Sequence, residues 1–83
     1  MKKIPLTRGF VTLVDDDVYE WTIMFKWHAH VSKGKVYAMR RDVWTKVFLH
    51  REIVKPEPHE LVDHRHGNGL DNRRENLRVA SKD

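Results

Sequence analysis

Residues 10–14, FVTLV, are apolar and rich in β-branched side chains, a pattern that predicts a strand. The period changes in the DDDVYEWTIMF that follows. Asp17 with Glu20 three residues on fits a capping box, and Val18, Trp21 and Phe25 share a helical face, so a short helix is expected over 17–25. KWHAHVSKGKVYAMRR reads as a hairpin: Trp27, Ala29 and Val31 alternate with His28, His30 and Ser32, and Gly34 supplies the turn. VWTKVFLH (43–50) is a third run of β-branched and aromatic alternation. HREIVKPEP is expected to hold one turn of helix ended by Pro56 and Pro58, and LVDH (61–64) to form a brief strand. The pattern predicts a small mixed α+β domain with antiparallel β-hairpins. Its sheet core is expected to gather Trp21, Trp27, Tyr37, Trp44 and Phe48, which alternate with polar neighbours as core positions do.

The tail, LVDHRHGNGLDNRRENLRVASKD (61–83), is patterned differently. Gly67 and Gly69 permit tight backbone geometry, and Asn68 tolerates left-handed conformations. Asn72 with Glu75 makes a second capping-box pattern, starting a short helix through Asn76. Leu77 and Val79 then suggest a strand, and Ser81 has the character of an N-cap for a following helix. No repeat or linker divides the chain, so residues 1–83 are expected to form one domain, a β-rich basic part over 1–60 and the tail over 61–83.

Charge sharpens this picture. The chain carries a net +4, but residues 26–55 hold eight basic groups against two acids, so a phosphate-facing surface is expected in that segment. Arg40, Arg41 and Lys46, with Lys33 and Lys35, are the candidates there. The absence of cysteine excludes disulfides and thiolate zinc sites. The opening MKKIPLTRGF lacks the apolar stretch of a signal peptide, and no run is long enough to cross a bilayer, so an intracellular, cytoplasmic protein is expected.

The candidate chemistry centres on Asp63 and His64. An aspartate is a hard oxygen ligand suited to Mg²⁺ or Mn²⁺. The adjacent histidine on a strand end points to the opposite side, so the pair can divide the work of holding a metal and deprotonating a water. His28 and His30 share one strand face, a pattern commoner on an exposed sheet than at a metal. His50 is expected to start the helix and make a local hydrogen bond.

Asp63-His64 followed by G-N-G-x-D-N-R-x-E-N-L-R through Arg78 resembles the HNH endonuclease family, in particular its phage and intron-type homing branch. KWHAH, YAMRR and LHREIV resemble, more loosely, the segments that lead into the motif, so the resemblance covers most of the chain. It implies that His64 is the general base activating water against a DNA phosphodiester and that Asp63 binds a single divalent metal, Mg²⁺ or Mn²⁺. It implies that Asn76, twelve residues after His64, is the central motif asparagine, whose amide pins the loop and orients the base. Arg73, Arg74 and Arg78 would lie beside the scissile phosphate of double-stranded DNA. The family's last motif residue sits on a helix after RVAS, and by that spacing falls just beyond Asp83. The ββα-metal unit is thus expected with both strands and without its helix, with His66 as the substitute ligand inside the chain. Three readings follow: a chain cut short of a longer protein, a site completed by His66 or a second copy in a homodimer, or a nuclease fold that binds DNA without cutting it. A function of a different class stands beside them, a non-catalytic phage-like protein that reuses the fold to bind or inhibit a host protein or nuclease complex.

Overall fold

A computed structural model of the chain describes residues 1–81. Within them the elements run β1 Lys2–Pro5, β2 Val11–Val14, α1 Asp16–Thr22, β3 His28–Ser32, β4 Lys35–Arg41, β5 Lys46–Phe48, α2 Leu49–Val54, β6 Glu60–His64 and β7 Leu77–Ser81, with 3₁₀ turns at Thr7–Gly9 and Arg74–Asn76. The strands form antiparallel sheets, β1 with β2, β3 with β4 and β4 with β5, and β6 with β7, and Leu13 of β2 adds an isolated parallel bridge to Asp71. The class is α+β. No helix among the described residues is long and apolar enough to cross a membrane.

The β3–β4 hairpin turns where the sequence places it. Lys33 and Gly34 both have positive φ, 51° and 79°, the conformation of a two-residue turn whose twist matches the strands, and Ser32 pairs with Lys35 across it. β1 has no counterpart in the sequence reading. It pairs Ile4 with Thr12 and places Ile4 and Leu6 in a core with Val14, Val18, Trp27, Ala38 and Leu49. The Trp27 indole N–H donates to the Thr22 carbonyl at 2.8 Å, so the large buried ring carries no orphaned donor.

Three expectations about the aromatics and caps are corrected. α1 begins after Asp15 and stops at Thr22, so Val18 and Thr22 are its buried positions, while Trp21 and Phe25 are exposed. The capping box expected of Asp17 and Glu20 does not form: Asp15 stands at the N-cap without a side-chain cap bond, its carboxylate accepting the Arg74 backbone N–H at 2.9 Å, while the Asp17 carboxylate bonds the Arg74 guanidinium. Trp44 is not in the core: it is 92 % exposed in the turn between β4 and β5, and β5 is only three residues long. Tyr37 and Phe48 are half-buried on the sheet face described below, which leaves Trp27 as the core tryptophan. α2 ends on Lys55 in the left-handed conformation immediately before Pro56. The helix expected after Ser81 lies outside the described residues.

Candidate functional site

Residues directly opposite in an antiparallel ladder share a face, so His28, His30, Tyr37, Met39 and Phe48 line one side of the β3–β4–β5 sheet. The β6–β7 hairpin and α2 pack towards that side. Between them lies an open cleft of about 340 Å³ bordered by His30, Tyr37, Phe48, His50, Arg51, Asp63 and His64, among others. His64 sits within it against two rings, 4.8 Å from His50 and 5.8 Å from Tyr37 between centroids.

The segment after His64 is held from both sides. The Leu13 N–H donates to the Leu70 carbonyl and the Asn72 N–H to the Leu13 carbonyl, both at 2.8 Å, which fastens residues 70–72 to β2. On the other side Gly69 lies against β4 so closely that a β-carbon there would meet the Val36 carbonyl and come within 2.7 Å of the Tyr37 ring. Buried Asn76 closes the loop from within: its Oδ1 accepts the His66 N–H at 3.0 Å and its Nδ2 donates to the Asp71 carbonyl at 2.8 Å.

These anchors set up a chain of hydrogen bonds with one consistent direction. Thr12 Oγ1 donates its single proton to the Leu70 carbonyl at 2.8 Å, so towards Asn72 it can only accept. The group of Asn72 that meets it at 2.8 Å is therefore the amide Nδ2, and Oδ1 faces His64. His64 Nε2, 2.9 Å from Oδ1, must then carry a proton. In the neutral ring this leaves the lone pair on Nδ1. Asn72 and Thr12 are fully buried, so water does not compete for these partners. Orientation of His64 thus falls to Asn72 rather than to Asn76, and the capping role expected of Asn72 is absent: the 3₁₀ turn starts at Arg74 with no side-chain cap.

Asp63 lies on the other face of β6, exposed, with its Oδ2 accepting from Arg78 Nη2 at 2.9 Å and Nε at 3.2 Å. The Arg78 guanidinium holds the Asp63 carboxyl below the usual carboxylate range. His66 is exposed and does not border the cleft; the carboxylate it influences is Asp71. Asp63 is thus paired with Arg78, and His66 lies outside the cleft lining. No three His, Asp or Glu side chains among the described residues converge in a way that could hold a metal ion. Mg²⁺ sites use well-fixed oxygen ligands, commonly one or two carboxylates supplemented by water and substrate phosphate. With one carboxylate, already bonded to a cation, the described residues do not by themselves fit the divalent ion that the resemblance implies.

The tail arginines expected at phosphate are likewise occupied. Arg73 grips Asp71 through Nε and Nη2 at 2.8 and 2.7 Å and reaches Glu75 at 2.9 Å, while Arg74 bonds both carboxylate oxygens of Asp17 at 2.8 Å. In the middle segment Arg40 is half-buried, with its guanidinium 4.1 Å over the Phe25 ring and 3.6 Å from Glu52. Arg41 and Lys46 are exposed and, among the described residues, have no carboxylate within salt-bridge distance. The separation is physical: each tail arginine folds onto an aspartate of its own hairpin or of α1, whereas Arg41 and Lys46 have no such ion pair among the described residues.

His50 is the site residue that sequence reasoning missed. Its Nδ1 is buried without a hydrogen-bond partner, so the expected local bond is absent. Burial pushes the ring's pKa from 6.5 down to about 4, with neighbouring His64 and Arg51 adding to the effect. The unfolded chain therefore binds more protons than the folded one between these values, and stability is complete above pH 6.5 and falls as pH drops towards 4. The loss expected from this group is on the order of 3 kcal/mol below that window. Urea melts at pH 7.5 and 5 should show it, and His50→Phe, which cannot charge, should flatten the slope. An equal slope in the variant would assign the acid sensitivity to groups other than His50.

Compared with models of protein families, with curated proteins and with solved structures, the chain matches none.

Proposed function

We propose that the chain is a DNA-binding unit of the HNH endonuclease type, built around His64 as a general-base histidine. The observation that supports this most is the hydrogen-bond chain Leu70–Thr12–Asn72–His64, which puts a proton on Nε2 and so makes Nδ1 the only ring nitrogen of His64 that can serve as acceptor beside an open cleft. A base that must take a proton from water as the water attacks phosphorus needs this arrangement: one nitrogen fixed from behind and the other left to the solvent side. The Asp63-His64 pair and the G-N-G-x-D-N-R-x-E-N-L-R spacing support the same reading. Binding is assigned to cations of the middle segment, and the proton transfer of any cutting to His64.

The test has two parts. A duplex of about 25 base pairs should bind with an affinity that falls steeply with salt, as phosphate contacts require, and His64→Ala should bind equally well. Any nicking of supercoiled plasmid by the wild type with Mg²⁺ or Mn²⁺ should be lost in His64→Ala. No duplex binding at low salt by the folded chain would overturn the reading. Nicking that survives His64→Ala would overturn the role given to that residue.

A further inference from the structure

The turn joining β4 to β5 presents an unusual surface. Trp44 is 92 % and Val43 78 % exposed, side by side at the apex. Large apolar side chains projected into solvent on a small domain mark contact surfaces. The apex is nevertheless built: the Asp42 N–H donates to the Thr45 carbonyl at 2.9 Å, and the Asp42 carboxylate accepts the Val43 N–H at 2.8 Å. Its base is fixed by Arg40, stacked over Phe25 and Trp27. The tryptophan is therefore held on a short, tight support, which reduces the ordering cost of binding through it.

Immediately below the apex, Arg41 stands directly opposite Lys46 in the β4–β5 register. Like charges in directly opposed positions repel, and neither has a carboxylate partner among the described residues. Asp42, the nearest acid in sequence, bonds to the apex backbone. A partner that places an anion between the two cations and a flat ring or base step against the indole would satisfy both features. Duplex DNA has that combination, closely spaced phosphates beside base steps into which an apolar side chain can wedge.

We propose that the Arg41–Lys46 hairpin tip is a contact for duplex DNA, in which Trp44 wedges at a base step and Arg41 and Lys46 hold flanking phosphates. The partner's identity rests on the DNA reading given above; the contact itself is independent of His64 and of any metal.

The test uses the full chain and a duplex of about 25 base pairs. Trp44→Ala should weaken binding roughly tenfold, the size expected on truncating an aromatic anchor at an interface, and leave both the thermal midpoint and the salt dependence unchanged. Arg41→Gln with Lys46→Gln should lower the slope of log K against log salt by about 2. Acrylamide quenching, with Trp44→Phe identifying the contribution of that indole, should show Trp44 protected when DNA is added. If wild type binds duplex but Trp44→Ala binds as well as wild type and Trp44 stays quenchable, the apex serves a protein or another partner; this proposal falls and the DNA reading stands. If the folded wild-type chain binds no duplex, both fall together.

Discussion

Replacing Asn72 by alanine is expected to lower stability by about 3 kcal/mol and to release His64 from its single tautomer. Asn72 is fully buried and donates to Thr12 while accepting from His64. Removing the amide leaves the His64 Nε2–H facing an apolar gap, at a cost of about 1–3 kcal/mol for a buried unsatisfied donor. A small cavity adds to this. Thr12→Val leaves the buried Asn72 Nδ2–H without its acceptor, while the Leu70 carbonyl keeps the Leu13 N–H, so it should cost about 1–3 kcal/mol. Because both residues belong to one chain of bonds, the double variant should fall short of the sum of the singles. Urea melts with unchanged m-values would measure the energies. Imidazole ¹⁵N chemical shifts would report the tautomer, with Nε2–H alone in the wild type and a mixture in Asn72→Ala. A stability loss below about 1 kcal/mol with the tautomer intact would show that His64 is oriented by something other than this amide.

The same residue illustrates where the sequence is readable and where it is not. Asn72 with Glu75 has the spacing of a helix start, and local chemistry alone favours that role. Its true partners, His64 eight positions before it and Thr12 sixty positions before it, are joined only once residues 70–72 dock on β2. The same long-range competition explains Asp15, whose carboxylate serves Arg74, and the tail arginines, whose donors close onto aspartates instead of facing outwards. Hairpins were legible because a period of two residues and a glycine at the turn are local signals, as at Gly34. Trp44 was not, because alternation reads the same in a core strand and in a turn that projects into solvent. His64 and Asp63 stood out by adjacency and spacing. His50 did not, since only the packing of α2 against β6 sets its ring 4.8 Å from His64.

Gly69→Ala is expected to have the second large effect, about 3 kcal/mol, at the upper end for overpacking a close contact. The reason is space and not backbone conformation: Gly69 is absent from the positive-φ residues, but an added methyl would meet the Val36 carbonyl and lie 2.7 and 2.9 Å from two Tyr37 ring atoms. A backbone carbonyl in a paired strand cannot turn aside as a flexible side chain can, so the loop must lift from β4. That movement would pull on residues 70–72, and with them on the Asn72 amide that holds His64, while Tyr37 shifts in the cleft wall. Gly67→Ala provides the contrast two residues away. Gly67 has φ of 76° with nothing within 4 Å of an added β-carbon, so its substitution should cost about 1 kcal/mol through conformation alone. The paired measurement is a urea melt together with the His64 ring ¹⁵N shifts. Gly67→Ala should reduce stability slightly and leave the ring as it is, whereas Gly69→Ala should reduce stability several-fold more and disturb the ring. Equal, small losses with an undisturbed His64 in both would mean that the loop does not depend on its approach to β4, and the rigid support assigned to the base would have to come from the β2 side alone.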